Sequence, residues 1–316
     1  MKDPARMLEL ADDPAELSAL TEIFGRRSSL LGVLEATGRA ARIRQWGSLI
    51  NGSGDTSTNR QSMLSICREF DQVILRDFFH DECRSHMGSP LYATPGKFFV
   101  KPPLAGMVIY KDEFVDVHYM QSSPLQAAAA FQAGVETGIT INGTDSLVFF
   151  TDTPGVEYQV YPVHTGDESD PRLGPPSRGQ SASGDHLFLE GGRQGMHLLH
   201  GSSPTSMIVC LSSRSRSEVT QHFSLQSGKL VGCTATSVTD SRLQIIATAL
   251  SYLRGSDNTE ALLDMSRHPT TFVRWNALRS LYRVDPAAAS ERLKEMREND
   301  VNEEIRKLAT RSLEQG

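Results

Sequence analysis

The sequence predicts an α+β protein in which an antiparallel β-barrel is flanked by an N-terminal helical region and a short C-terminal α-solenoid. Up to about Met87, apolar residues recur at the three- and four-residue spacing of amphipathic helices. After Pro90, short β-rich runs follow one another with turn residues between them and no helical pattern. From Asp240 the helical pattern returns with a repeat of 32 residues. The expected division is therefore 1–90, 91–238 and 239–316.

In the first region Leu17, Leu20, Ile23 and Phe24, then Leu30, Leu31, Val33 and Leu34, set the helical spacing. The run NGSGDTSTN from Asn51 to Asn59 breaks it and is expected as a mobile loop, with Ser57 or Thr58 capping a second helix that carries Met63, Ile66, Phe70, Val73 and Ile74. The region reads as a helical cap or lid. His80, Glu82, Cys83 and His86 in FFHDECRSH are either a metal cluster or an ordinary helix end facing solvent, and the second reading is adopted.

The middle region holds eight or more strand-like runs, among them MVIYKDEFVDVHYM, ITI, VEYQVYPVH, HLFLE and SMIVCLSS. Asn142-Gly143 is expected to form a type I′ hairpin turn, and Thr165 to Ser183, rich in Pro, Gly and Ser, an exposed insertion near one end of the barrel. In the last region Arg242, Arg274 and Arg306, and Ala277 and Ala309, recur at the 32-residue interval. VRWNALRSL from Val273 and IRKLATRSL from Ile305 resemble the second helices of HEAT-type repeats. The resemblance implies a stack of helix pairs leaning on the barrel, with the arginine after Val273 or Ile305 in a structural ion pair.

Composition narrows the function. The chain has 316 residues, 39% of them hydrophobic and 22% charged, which suits a packed globular core. A net charge of -6 and the lack of a basic run interleaved with aromatics exclude nucleic acid as the primary partner. No apolar run approaches the roughly 20 residues that span a bilayer. Cys67, Cys83, Cys210 and Cys233 show no C-x-x-C spacing, and acidic residues occupy the start of the chain, so a reduced, cytoplasmic protein is expected. There is no G-x-S-x-G, G-x-x-x-x-G-K-S/T or G-x-G-x-x-G motif to anchor a hydrolase, NTPase or dinucleotide reading.

The segment GDHLFLEGGRQGMH from Gly184 to His197 resembles the second motif of the cupin superfamily: a Gly-Asp pair, a strand, a glycine turn and a histidine on the next strand. The resemblance implies a cupin-like barrel over about Phe98 to Cys233, with His197 as a metal ligand. Glu190 stands where proline is common, and the turn is about two residues longer than usual. The H-x-H of metal-binding cupins is missing; its nearest equivalent is Asp116-Val117-His118, whose polar side chains share one face of a strand. Asp116, His118 and His197 would then hold Fe(II) or another divalent metal in the ligand set of non-haem iron centres. The alternative is that this face meets water. His164, His186 and His200 compete for the ligand role, although His200 lies on the opposite face from His197 in a regular strand.

The resemblance implies a mononuclear metalloenzyme, a non-haem Fe(II) oxygenase acting on a small polar molecule. Arg193 would pair with a substrate carboxylate and Tyr158 would reach the substrate. A second reading is a barrel without metal that binds a small molecule, or has a regulatory role, coupled to HEAT-like repeats that dock a protein partner.

Overall fold

The computed structural model describes residues 13–26, 29–53, 55–89, 92, 97–101, 104–122, 138–153, 155–164, 171–199, 204–253, 255 and 257–315. The chain opens with five helices, α1 (Pro14–Arg26), α2 (Leu30–Ala36), α3 (Arg39–Ser53), α4 (Thr56–Arg68) and α5 (Gln72–Gly88). The mobile loop expected over Asn51 to Asn59 is instead mostly helix. Residues 51–53 complete α3, Gly54 lies outside the described residues, and Asp55 rather than Ser57 or Thr58 caps α4. Its carboxylate accepts from the Thr58 backbone N–H at 2.8 Å, which satisfies a donor the helix itself leaves unpaired. Asp71 caps α5 in the same way through Ile74. Arg39 and Arg42 tie α3 to the α4–α5 junction by bonds to Asp71 and Glu69.

Glu82 of α5 does not face solvent as expected. It is buried and accepts a hydrogen bond from the Tyr92 hydroxyl, while His86 packs edge-on against the same ring.

Thirteen strands follow among the described residues. Those that matter below are β1 (Phe98–Lys101), β2 (Leu104–Lys111), β3 (Val115–Ser122), β4 (Gly138–Ile141), β5 (Thr144–Asp152), β6 (Val156–His164), β7 (Arg172–Leu173), β8 (Ser177–Ser181), β9 (His186–Leu189), β10 (Gln194–Leu199), β11 (Thr205–Ser215), β12 (Val219–Ser224) and β13 (Leu230–Ala235). β11 lies between β3 and β5, and β12 beside β4, so distant strands pair in a double-wound antiparallel roll.

The antiparallel β-region flanked by helices is as expected, although its strands do not close into one continuous barrel. Among the described residues the strands form three separate sheets, β1-β2-β3-β11-β5-β9, β10-β6-β7 with β8, and β13-β12-β4. The expected insertion is part of the sheet as well: β7 and β8 both pair with β6, and residues 165–170 lie outside the described ones.

Asn142-Gly143 does not make a type I′ turn either. Neither residue has positive φ, and the strands that flank it belong to different sheets. Glycine is required at 143 for close approach, because a Cβ there would sit 1.9 Å from Thr236 Oγ1 and 2.6 Å from the Ser217 carbonyl oxygen.

Side-chain alternation gives the six-stranded sheet two apolar faces. Val115, Val117, Leu147, Ile208 and Cys210 pack against Leu34, Ile43, Ile50, Met63 and Ile66 of the helices. On the other face Val148, Phe150, Met207, Met120 and Val209 meet Val156, Val160, Met196 and Leu198 of β6 and β10. Each fully buried aliphatic or aromatic side chain contributes about 1.5–3 kcal/mol, so the helices are held to the sheet as firmly as the second sheet is. His186 belongs to the helix-facing side: it pairs with Phe149 across β5, and its Nε2 lies 3.3 Å from Arg60 of α4.

The last five helices are α6 (Val238–Leu250), α7 (Asn258–Met265), α8 (Thr271–Val284), α9 (Pro286–Asn299) and α10 (Glu303–Gln315). They share one apolar core built on Ala247, Leu262, Leu278, Leu281, Met296 and Ile305. The recurrent arginines anchor the turns. Arg274 makes a two-point contact with Asp300 at 3.1 and 2.8 Å and donates to the carbonyls of His268 and Pro269. Arg306, one repeat later, bonds the Asp300 carbonyl rather than a carboxylate.

Two outcomes are expected. Asp300→Ala leaves the Arg274 guanidinium, whose side chain is 5% exposed, without its counter-charge; unfolding of the C-terminal helices in urea should lose about 3–5 kcal/mol, and an unchanged transition would contradict the pairing. Burial first, then the charges of Arg60 and Arg68, hold the His186 imidazolium pKa below its ordinary value of 6.5, with Asp185 opposing them. The unfolded chain then binds the proton more tightly. This contribution to stability is complete above about pH 6.5 and is lost as the pH falls through the folded-state value. Urea midpoints measured from pH 5 to 8 should fall more steeply on acidification for the natural chain than for His186→Gln.

Candidate functional site

The predicted metal ligands do not share a face. Asp116 and His118 stand opposite Leu211 and Val209 across the β3–β11 ladder, on the side that carries Met120 and Met207 and so faces the second sheet. His197 pairs with Gln159 on β6, and its neighbours Met196 and Leu198 are the residues of β10 that pack into the core between the sheets. By alternation His197 points to the other side of β10. Tyr161, on the His197 side of β6, joins a different apolar cluster with Ile139, Ile141 and Phe223.

Asp116 is also committed elsewhere. Its carboxylate bonds the ammonium of Lys111 and lies 2.8 Å from His118 Nε2. Burial pushes its pKa up, but the hydrogen bonds and charges of His118 and Lys111 outweigh that and leave it below the ordinary carboxylate value. The His118 ring rests on Phe99 at 5.5 Å. Among the described residues no group of three or more His, Cys, Asp or Glu side chains is placed to hold a metal, so Asp116, His118 and His197 do not fit the iron centre that the motif implies.

The other histidines have structural partners: His164 fills the space over Gly174, and His222 bonds Thr140 and Thr234. His200 lies outside the described residues. Tyr158 stacks on Phe150 at 6.1 Å and covers Gly179, where a Cβ would lie 2.5 Å from its ring, so it packs the core rather than a ligand site.

The motif's glycine turn does build a site. Between β9 and β10 it runs from Glu190 to Arg193, with Gly192 at φ +74 and Gly191 pressed onto the start of β5, where a Cβ would meet the Thr144 carbonyl carbon at 2.5 Å. That approach lets the Gly191 N–H donate to Asp145 Oδ1 at 3.0 Å. The same carboxylate takes a two-point contact from Arg216 at 2.6 and 2.7 Å and a bond from Asn59 Nδ2 of α4 at 3.1 Å. Arg216 also reaches the Thr56 hydroxyl. Four segments distant in sequence thus meet at one carboxylate: α4, the start of β5, the glycine turn, and the β11–β12 turn.

Above them opens a cleft of about 980 Å³ lined mainly by polar groups. Three arginines, Arg193, Arg214 and Arg216, face two carboxylates, Asp145 and Glu190. Arg216 is spent on Asp145, which raises its pKa, the hydrogen bond being the larger cause and burial opposing it. Arg193 meets Glu190 at 3.4 Å with its side chain 78% exposed, a contact worth about 0–1 kcal/mol. Arg214 is exposed and has no ion-pair partner among the described residues. The cleft therefore carries one uncompensated positive charge and one loosely held arginine, an arrangement suited to an anion. Of these residues the sequence pointed to Arg193. Arg214 and Arg216 alternate in SSRSRSE, just past an apolar strand, but Asp145 has no local mark.

In sequence, the HEAT-repeat family matches residues 239–314. None of the curated proteins is similar to the chain. Solved structures similar to it include KdgF from a Halomonas species, at 8% identity over 38% of this chain and 87% of that one with a TM-score of 0.26. The polyketide cyclase RemF from Streptomyces resistomycificus aligns at 8% identity over 40% and 80% with a TM-score of 0.26. An RmlC-like cupin from Shewanella frigidimarina aligns at 7% identity over 39% and 88% with a TM-score of 0.25. Likeness at this level leaves the fold resting on the strand order and pairing themselves. No helix among the described residues is long and apolar enough to cross a membrane.

Proposed function

We propose that the chain is a binding protein in which the arginine-lined cleft takes a small molecule bearing a carboxylate or phosphate, while the helical repeats dock a protein partner. This is the metal-free reading of the sequence with its ligand site moved to the mouth of the roll. The observation that carries it is Arg214, open to the cleft with no ion-pair partner among the described residues, beside an Arg193 whose ion pair with Glu190 is an exposed contact. The cleft has the volume of sites that hold small organic ligands, typically about 300–1,000 Å³. Its floor is preorganised, because Asp145 fixes the glycine turn and the Arg216 turn before any ligand arrives. Guanidinium groups on two separate segments, the glycine turn and the end of β11, favour a ligand with two anionic ends or one multidentate anion. Protein docking by the repeats is supported by their match to HEAT repeats, since stacked helix pairs expose extended surfaces on which partners bind.

Citrate and pyrophosphate are suitable probes in thermal melts at matched ionic strength. A ligand that binds only the folded chain at 100 times its Kd adds about 2.7 kcal/mol, so a saturable rise of several degrees is expected. Arg214→Ala and Arg193→Ala together should remove it without changing the melting temperature of the unliganded protein. No saturable rise, or an equal rise in the double variant, would contradict the proposal.

A further inference from the structure

The cleft offers a carboxylate as well as its arginines. Asp145 is fully engaged by Arg216, the Gly191 N–H and Asn59. Glu190 is not. Its backbone holds the glycine turn: the carbonyl accepts from the Arg193 and Gln194 N–H groups, and its own N–H donates to Gln194 Oε1. Its carboxylate takes no part in that. Among the described residues it has one ion-pair partner, Arg193, at 3.4 Å, against 2.6 Å between Arg216 and Asp145. After the hydrogen bond and charge of Asp145, the charge of Glu190 is a further cause of the raised Arg216 pKa, so the carboxylate stands over the cleft floor among the arginines.

Three charged groups of the cleft are therefore weakly held or unpaired: Arg214, Arg193 and Glu190. A plain dicarboxylate satisfies the two arginines but must lie beside the Glu190 carboxylate or push it off Arg193, and like charges in a walled cleft repel. An ammonium on the ligand reverses the sign of that contact. Glu190 can then leave Arg193 for the ammonium, and Arg193 is free for an anion. Because Glu190 and Arg193 belong to one turn, their partners are neighbours on the ligand, as the ammonium and carboxylate of an α-amino acid are. Arg214 stands on another segment, the end of β11, and takes a second anionic group farther along the ligand. Such a molecule carries one net negative charge, which matches a cleft lined by three arginines and two carboxylates.

Resting on the reading that the cleft binds a small anionic molecule, we infer that its ligand is an acidic α-amino acid or a close analogue, with its α-carboxylate on Arg193, its ammonium on Glu190 and its side-chain anion on Arg214. Glu190 is then the specificity residue. It attracts the ammonium and repels the dicarboxylate that lacks one.

The test is calorimetric titration of the full chain at neutral pH and constant ionic strength. L-glutamate and L-aspartate are compared with glutarate and succinate, the same acids without the ammonium, and with the N-acetyl amino acids, which keep both carboxylates and lose the positive charge. One of the amino acids should bind roughly fivefold more tightly than its two counterparts, the upper scale of one exposed ion pair. In Glu190→Gln that advantage should vanish, the amino acid weakening and the plain dicarboxylate gaining, while the melting temperature of the empty protein stays the same because the turn is held by backbone bonds. If Glu190→Gln does not fold, the N-acetyl comparison on the natural chain decides. A plain or N-acetylated acid that binds as tightly as the amino acid, or a preference that persists in Glu190→Gln, overturns the inference and leaves the anion cleft standing. Binding of citrate or pyrophosphate alone does the same. No saturable binding of any of these anions overturns both.

Discussion

The buried carboxylate of Asp145 is the constraint on which the roll depends. With its side chain 3% exposed, its charge would cost several kcal/mol if left unpaired. The structure satisfies it from three directions: a guanidinium from the β11–β12 turn, a backbone N–H from the glycine turn, and an amide from α4. None of these donors is near it in sequence, so meeting them fixes the relative positions of the helical layer, the start of β5 in the six-stranded sheet and the turn that leads from β9 to β10 in the next sheet. The cleft is a consequence. Its floor is the Asp145 network, and its more open arginines are Arg193, on the glycine turn, and Arg214, at the end of β11, which the network does not consume.

Much of the fold was legible because it depends on local pattern. Period-two and period-3.6 runs mark where helix gives way to strand, and the 32-residue interval marks the repeats, in which Arg274 and Arg306 each bind the turn that precedes their helix. The glycine turn between β9 and β10 was legible as a turn, but its close approach to the start of β5 was not. What failed did so for want of long-range information. Asn142-Gly143 looks like a hairpin in isolation, yet here glycine serves contact with Thr236 and Ser217, which no neighbouring residue announces. The parity of β10 put His197 on a strand as expected but on the side away from Asp116 and His118, and only the register with β6 reveals that. Asp145 and Arg216 are 71 residues apart and form the best-bonded pair of the site.

The arginine-lined cleft and the helical repeats are physically close. Glu218 follows Ser217 of the cleft wall directly and accepts a hydrogen bond from Thr271 at the start of α8. Thr270, one residue earlier, donates to Asp240 in α6. The end of β11 and the short β11–β12 turn thus line the cleft through Arg214 and Arg216 and touch the repeats through Glu218. The geometry of this turn is held from both sides, by Asp145 through Arg216 and by Thr271 through Glu218.

The most direct test is hydrogen exchange on Asp145→Ala. If that carboxylate joins the segments, amides at the start of α4, in the glycine turn from 190 to 193 and in the turn from 214 to 217 should lose protection together, while the repeats keep theirs. Loss confined to the start of β5, with the other segments still protected, would show that they are held independently and would remove Asp145 from the centre of the structure.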